Sequence, residues 1–189
     1  MSIASNIIVK AGALALALAI AGVVAPAFAA GGNDSPATST TTPPVDCVKQ
    51  KGAGWVYSEQ DKKCVKKTAL NDSELYAQGR ALALAGNYDS ALDALTAIHN
   101  QHDAMVLTMI GYSKRKLGFT DEGIALYHQA LAIDPNNVNT HEYLGEGYVI
   151  AGRVDLAKLE LVTLQNLCGV DCEQYKDLNG ALNGVGGTD

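Results

Sequence analysis

Apolar residues recur through the middle of this 189-residue chain at intervals of three and four, the spacing that gives a helix one buried face. Stretches of helical length come in pairs, and glycines divide them at regular intervals. Gly79 and Gly86, Gly111 and Gly118, and Gly145 and Gly152 each stand seven residues apart. Five residues past each second glycine comes a small residue (Ala91, Gly123, Ala157), and four further on a bulky one (Leu95, Tyr127, Leu161). The offset between sets is 32 residues, then 34. A period of that size, with small and large residues in register, predicts a helical solenoid. The small residues let paired helices approach closely. Gly86, Gly118 and Gly152 fall where each first helix should stop, the usual place for a left-handed cap residue. Asp89, Asp121 and Asp155 follow three residues later, where a carboxylate is expected to cap the next helix and oppose its dipole. Pro135 follows the apolar stretch Ile124–Ile133 and ends it.

The three units resemble the tetratricopeptide repeat (TPR) family. The middle unit, 104–137, carries Ile110-Gly111, Leu117-Gly118, Gly123, Tyr127, Ala130 and a closing Asp134-Pro135-Asn136. The last, 138–171, has Leu144-Gly145, Tyr148, Gly152, Ala157, Leu161 and Leu164, with Gly169 where the family's proline would fall. The first, 72–103, has Gly79, Leu82, Gly86, Tyr88, Ala91, Leu95 and Ile98; it is two residues short, and Asp103 replaces the proline. The resemblance implies an all-α fold, an α-α superhelical solenoid of three TPR-like helix pairs. Residues 171–183 read as a capping helix, with Leu178 and Leu182 on one side, Tyr175 beside them, and Glu173, Lys176 and Asp177 toward water. A polar outer side of this kind closes a solenoid end.

The flanks differ in composition. Residues 1–29 read as a secretory signal peptide: Lys10 in a short leading region, an uncharged run from Ala11 to Ala25, then Ala27-Phe28-Ala29 as a cleavage pattern. The competing reading is an uncleaved anchor, because the uncharged stretch reaches the minimum length of a membrane span. Residues 30–46 are rich in Gly, Ser, Thr and Pro and are expected to form a disordered linker. Residues 47–67 are expected to form a small hairpin or loop around Trp55-Val56-Tyr57. Asn71-Asp72-Ser73-Glu74 then supplies the start signal of the first repeat helix.

The formal charge of −6 argues against nucleic acid or an anionic membrane as the main partner. It is unevenly spread: residues 46–67 hold six lysines against three acids, and residues from 68 onward hold seven basic against sixteen acidic side chains. Four cysteines in an exported chain form an even set. Their spacing favours Cys47–Cys64, which closes the hairpin, and Cys168–Cys172, which clamps the turn into the capping helix. The second pair also has a functional reading, as a reversible dithiol of an envelope redox protein. His99 and His102 are expected to be solvated, and His128 and His141 lie without a nearby acidic cluster in the sequence. No phosphate loop, nucleophile elbow or metal-ligand spacing is present, so no catalytic residue, metal or cofactor is expected.

The resemblance implies that the first helix of each repeat lines a concave face. Equivalent positions across the repeats are Tyr76, Thr108 and Glu142; Arg80, Tyr112 and Glu146; and Ala83, Arg115 and Val149. Within one helix these lie three or four residues apart and share a face. The expected partner-binding residues are therefore Tyr76, Arg80, Tyr112, Arg115, Lys116, Glu142 and Glu146. The lysine and asparagine set with which some TPR families clamp a C-terminal carboxylate is absent here. The expected function is a non-catalytic scaffold or adaptor in the bacterial cell envelope, periplasmic or secreted, a monomer or weak homo-oligomer that binds a protein or peptide. Binding of cell-wall glycan through Trp55 and Tyr57 is a further alternative.

Overall fold

The structure is a computed structural model and describes residues 43–184. The expected signal peptide and most of the expected linker lie outside the described residues. The described part is mostly helical, with eight α-helices and one two-stranded hairpin. In chain order these are α1 (Cys47–Lys51), β1 (Trp55–Ser58), β2 (Lys63–Lys66), α2 (Asp72–Leu84), α3 (Tyr88–Leu95), α4 (Ala104–Lys116), α5 (Thr120–Ile133), α6 (Val138–Ile150), α7 (Val154–Cys168) and α8 (Glu173–Leu182). Each repeat starts where its first helix does: α2, α4 and α6 begin at positions 72, 104 and 138.

Two kinds of helix junction alternate, each with its own chemistry. Asn71, Asp103 and Asn137 are the N-caps of α2, α4 and α6, and their side chains accept backbone N–H bonds from Glu74, from Met105 and Val106, and from Thr140. At Asn71 the cap is reciprocal, with Glu74 accepting from the cap's own N–H. The junctions within pairs have no side-chain cap at all. There the chain turns through Gly86, Gly118 and Gly152 at φ of 78°, 93° and 71°. The N–H of each following residue bonds back to the carbonyl five positions earlier: Asn87 to Leu82, Phe119 to Lys114 and Arg153 to Tyr148. This is the Schellman closure that a left-handed glycine permits. The expected capping by Asp89, Asp121 and Asp155 is therefore corrected. All three sit in the first turn, where a negative charge opposes the dipole, but none bonds an orphan N–H. Asp121 instead pairs with Arg153, with Nη2 and Oδ1 2.6 Å apart.

Each helix packs on its sequence neighbour from α2 to α8, and the first helices also touch one another, α2 with α4 and α4 with α6. Close approach depends on small residues. A Cβ on Gly79 would lie 2.5 Å from Leu95 Cγ, and one on Gly111 would lie 2.8 Å from Tyr127 Cε1. The third unit departs from this pattern: the neighbour that fills the space at Gly145 is Leu178 of α8, and not Leu161. Leu178 is fully buried, while Glu173, Lys176 and Asp177 are exposed. Among the described residues no helix is long and apolar enough to cross a membrane.

The segment ahead of α2 is more than a hairpin. Asp46, assigned to the linker by composition, is the N-cap of α1 and accepts from Ser90 Oγ at 2.8 Å. Trp55 pairs with Lys66 and Ser58 with Lys63 in an antiparallel register. Cys47 and Cys64 are joined, which ties α1 to β2. The unit packs on α3, because the Gly54 N–H donates to Asp93 at 2.7 Å, Lys67 Nζ reaches the same carboxylate at 2.9 Å, and Val56 enters the core.

Candidate functional site

The first helices bring the expected site residues together, but mostly as a buried polar cluster and not as an open groove. Arg115, near the end of α4, is 4% exposed. Its Nη2 donates to Glu146 Oε2 at 2.5 Å, and its Nε donates to the Tyr127 hydroxyl at 3.3 Å. The guanidinium carbon lies 5.5 Å from the Tyr112 ring centre and 6.0 Å from that of Tyr143. The Tyr112 and Tyr143 rings are 4.9 Å apart, and Tyr143 stands 6.3 Å from Tyr127. Three helices thus contribute to one cluster: α4 the base, α5 the hydroxyl, α6 the carboxylate. Gly147 lets α6 approach α5 beside it, since a Cβ there would lie 3.1 Å from Ile124 Cγ1.

Burial governs the protonation of this cluster. It works against the Arg115 charge, but Tyr127 and Glu146 outweigh it and hold the guanidinium firmly protonated. Burial pushes the Tyr127 hydroxyl up to about 12 and raises Tyr143 as well. Glu142, one turn before Glu146, has its carboxyl pushed up to about 9 by burial. Glu146 and Asp177 add to the shift, and Arg115 opposes it. Glu142 is 7% exposed and is a neutral acid at neutral pH.

The remaining expected residues separate. Thr108 is buried between helices, with its hydroxyl 2.7 Å from that of Thr140. Ala83 is fully buried. Lys116 is half-buried, with Nζ 5.5 Å from the Tyr112 ring centre. Arg80 is half-buried on α2. Tyr76 lines a cavity of about 290 Å³ between the starts of α2 and α4, with Asp72, Ile98, Asp103 and Met105. The expected mixed groove is therefore corrected. Its central base is buried and neutralised, and of its two glutamates one is paired and one is buried.

Two features escaped the sequence reading. His141 is buried, with Nδ1 2.7 Å from Glu160 of α7 and Nε2 3.0 Å from the Pro135 carbonyl. Burial disfavours its charge, but the Glu160 carboxylate outweighs this and raises its pKa. Glu160 is 19 residues away, so only the packing of α6 on α7 reveals the pair. The second feature is the pair of caps at 103 and 137, which with Asn71 repeats the 32- and 34-residue offsets of the glycines and is legible once the polar positions are aligned too.

Cys168 and Cys172 are bridged across the turn from α7 to α8. Two disulfides point to an oxidising, extracytoplasmic environment. The Trp55 ring is flanked by Lys66 Nζ at 4.3 Å and Lys51 Nζ at 5.4 Å. Among the described residues no group of three or more His, Cys, Asp or Glu is arranged to hold a metal ion. The chain matches no known protein-family model and no curated protein.

Proposed function

We propose that this chain is an exported, non-catalytic adaptor of the bacterial cell envelope, a TPR-like solenoid whose first helices present one face to a protein or peptide partner. The observation that carries the reading is the direct contact of α2 with α4 and of α4 with α6. On these side-by-side helices Tyr76, Arg80 and Lys116 keep part of their surface exposed, while Thr108, Tyr112 and Glu142 are buried beneath them. Tyrosine and arginine are residue types that anchor interfaces. The two disulfides support export, and the buried polar cluster supports a rigid platform, since every charge it orders is held by a partner from another helix.

Photo-crosslinking in intact cells tests the proposal. A photoreactive residue replaces Tyr76 or Lys116 on the proposed face, and Asp155 on exposed α7 as a control. The expected result is a discrete adduct from positions 76 and 116 and none from 155. Equal labelling from all three positions, or no adduct from the first two, refutes the binding face.

A further inference from the structure

The cavity between the starts of α2 and α4 belongs to the first junction of the array. There α3 is 8 residues long where its counterpart α5 has 14, and an irregular connection, 96–103, leads into α4. At the next junction Thr108 stands in the place of Tyr76, and its hydroxyl meets that of Thr140 at 2.7 Å.

The lining has two characters. Buried Ile98 and Val106, exposed Met105 and the Tyr76 ring give an apolar side to a space of about 290 Å³. Asp72 and Asp103 add a carboxylate from each helix start. Both carboxylates are fixed by backbone N–H groups. Asp72 accepts from His99 at 3.1 Å and from Asn100 at 3.4 Å, with the His99 ring nitrogen 2.8 Å away. Asp103 accepts from Met105 at 2.9 Å and from Val106 at 3.2 Å. Both of these bonds fall on Oδ1, which leaves Oδ2 to accept from a ligand. Among the described residues that line the cavity there is no lysine or arginine. The two helix starts contribute about half a positive charge each, and the carboxylates of Asp72, Glu74 and Asp103 outweigh them.

A space of this size falls just under the roughly 300–1,000 Å³ of pockets for drug-sized molecules, so it fits a single side chain. An acidic side chain is repelled there. A purely apolar one would strip water from two carboxylates without supplying a donor. A basic side chain meets both demands, with its methylene stem on the apolar side and its charged end at the carboxylates. The Tyr76 ring adds a face that attracts cations. We propose that this cavity seats one lysine or arginine side chain of the partner, with Asp72 and Asp103 as its counter-ions. The proposal rests on the adaptor reading and gives the partner's chemistry at one position.

Methionine methyl groups report on the cavity in the full chain. Met105 lines it, whereas Met109, one turn on, is 1% exposed and serves as the control. The ¹³C-methyl spectrum is followed at about pH 8, above the ordinary imidazole range. Nα-acetyl-lysine amide, Nα-acetyl-arginine amide and the uncharged Nα-acetyl-norleucine amide are each titrated into the millimolar range. The expected result is a saturable shift of Met105 alone with the two cations, and at least about tenfold weaker binding of the norleucine compound. The double variant Asp72→Asn with Asp103→Asn, in which asparagine can still cap α4, should lose about the same factor for the cations and none for norleucine. No response of Met105 to either cation, equal movement of Met109, equal binding of norleucine, or undiminished cation binding by the double variant overturns the seat. Any of these does so even where crosslinking at Tyr76 and Lys116 succeeds, and the adaptor reading then stands without it. A cation-selective response in a chain that yields no crosslinked partner overturns the partner assignment and the adaptor reading together, leaving a site for a free cation.

Discussion

At the scale of single residues, the centre of the molecule is ruled by what burial does to charge. Arg115 and Glu146 are held in place by each other, so removing one leaves the other stranded in a poorly solvated setting. Arg115→Met is expected to cost about 3–5 kcal/mol in urea denaturation, and the double change Arg115→Met with Glu146→Gln to cost clearly less. If the double variant is the less stable, the pair contributes more than mutual neutralisation. Glu142 gives a dependence on pH with a definite sign. Its carboxyl titrates at about 9 in the fold against an ordinary 4.5. The folded state thus binds the extra proton between these values. This contribution is fully present below pH 4.5 and is lost as pH rises through the folded value. Thermal midpoints should therefore fall between mildly acid and mildly alkaline pH. Glu142→Gln should remove at least about 1 kcal/mol of that fall, or about 2–4 °C. An unchanged pH profile in the variant would place Glu142 in water.

At the scale of elements, the period of the repeats located the starts of the first helices, and the accepting side chain at 71 marked the first of them; the caps at 103 and 137 follow the same local chemistry. It also located the turns at Gly86, Gly118 and Gly152, because a positive φ demands glycine there. It did not reveal that the open positions of the third unit are filled from α8, since Gly145 and Leu178 are far apart in the chain and the family-like register points to Leu161. Nor did it reveal the burial of Arg115 and Glu142. Spacing tells which residues share a face; what covers that face is decided by the packing of α4, α6 and α8. The two junction chemistries make separable predictions. Asp103→Ala and Asn137→Ala each remove a side-chain cap and should cost about 0.5–2 kcal/mol. Asp121→Asn bonds no backbone group and should change stability by less than about 0.5 kcal/mol. Gly145→Ala forces a methyl group against Leu178 and should cost about 1–3 kcal/mol. Amide exchange should place that loss in α8 and the facing turn of α6; a loss confined to α7 would mean that Leu161 is the true neighbour.

At the scale of the whole molecule, the two ends of the helical array are closed by different means. At the far end α8 lays Leu178 against Gly145 and donates from Gln174 to Asn139 at 2.8 Å, with the Cys168–Cys172 bridge at its base. At the near end the closing unit is small and has little to bury, with Val56 as its main core residue. It is held by polar ties that converge on α3: Asp46 to Ser90, and Gly54 and Lys67 to Asp93. Such a unit depends on its covalent link. Cys47–Cys64 spans 17 residues, and closing a loop of that length stabilises by about 3 kcal/mol in the chain-entropy treatment. The helices beyond it keep their own core, so loss of the link should be felt locally. Trypsin discriminates local from global loosening, because six lysines lie between Lys49 and Lys67. In the variant with both Cys47 and Cys64 changed to Ser, cleavage at these lysines should be at least about tenfold faster, while the fragment after Lys67 stays intact. Asp93→Ala, with the disulfide kept, should give a smaller acceleration at the same sites. Simultaneous digestion of Lys114, Lys158 and Lys176 in the serine variant would show that the near-end unit holds the whole array together and does not merely cover its first pair.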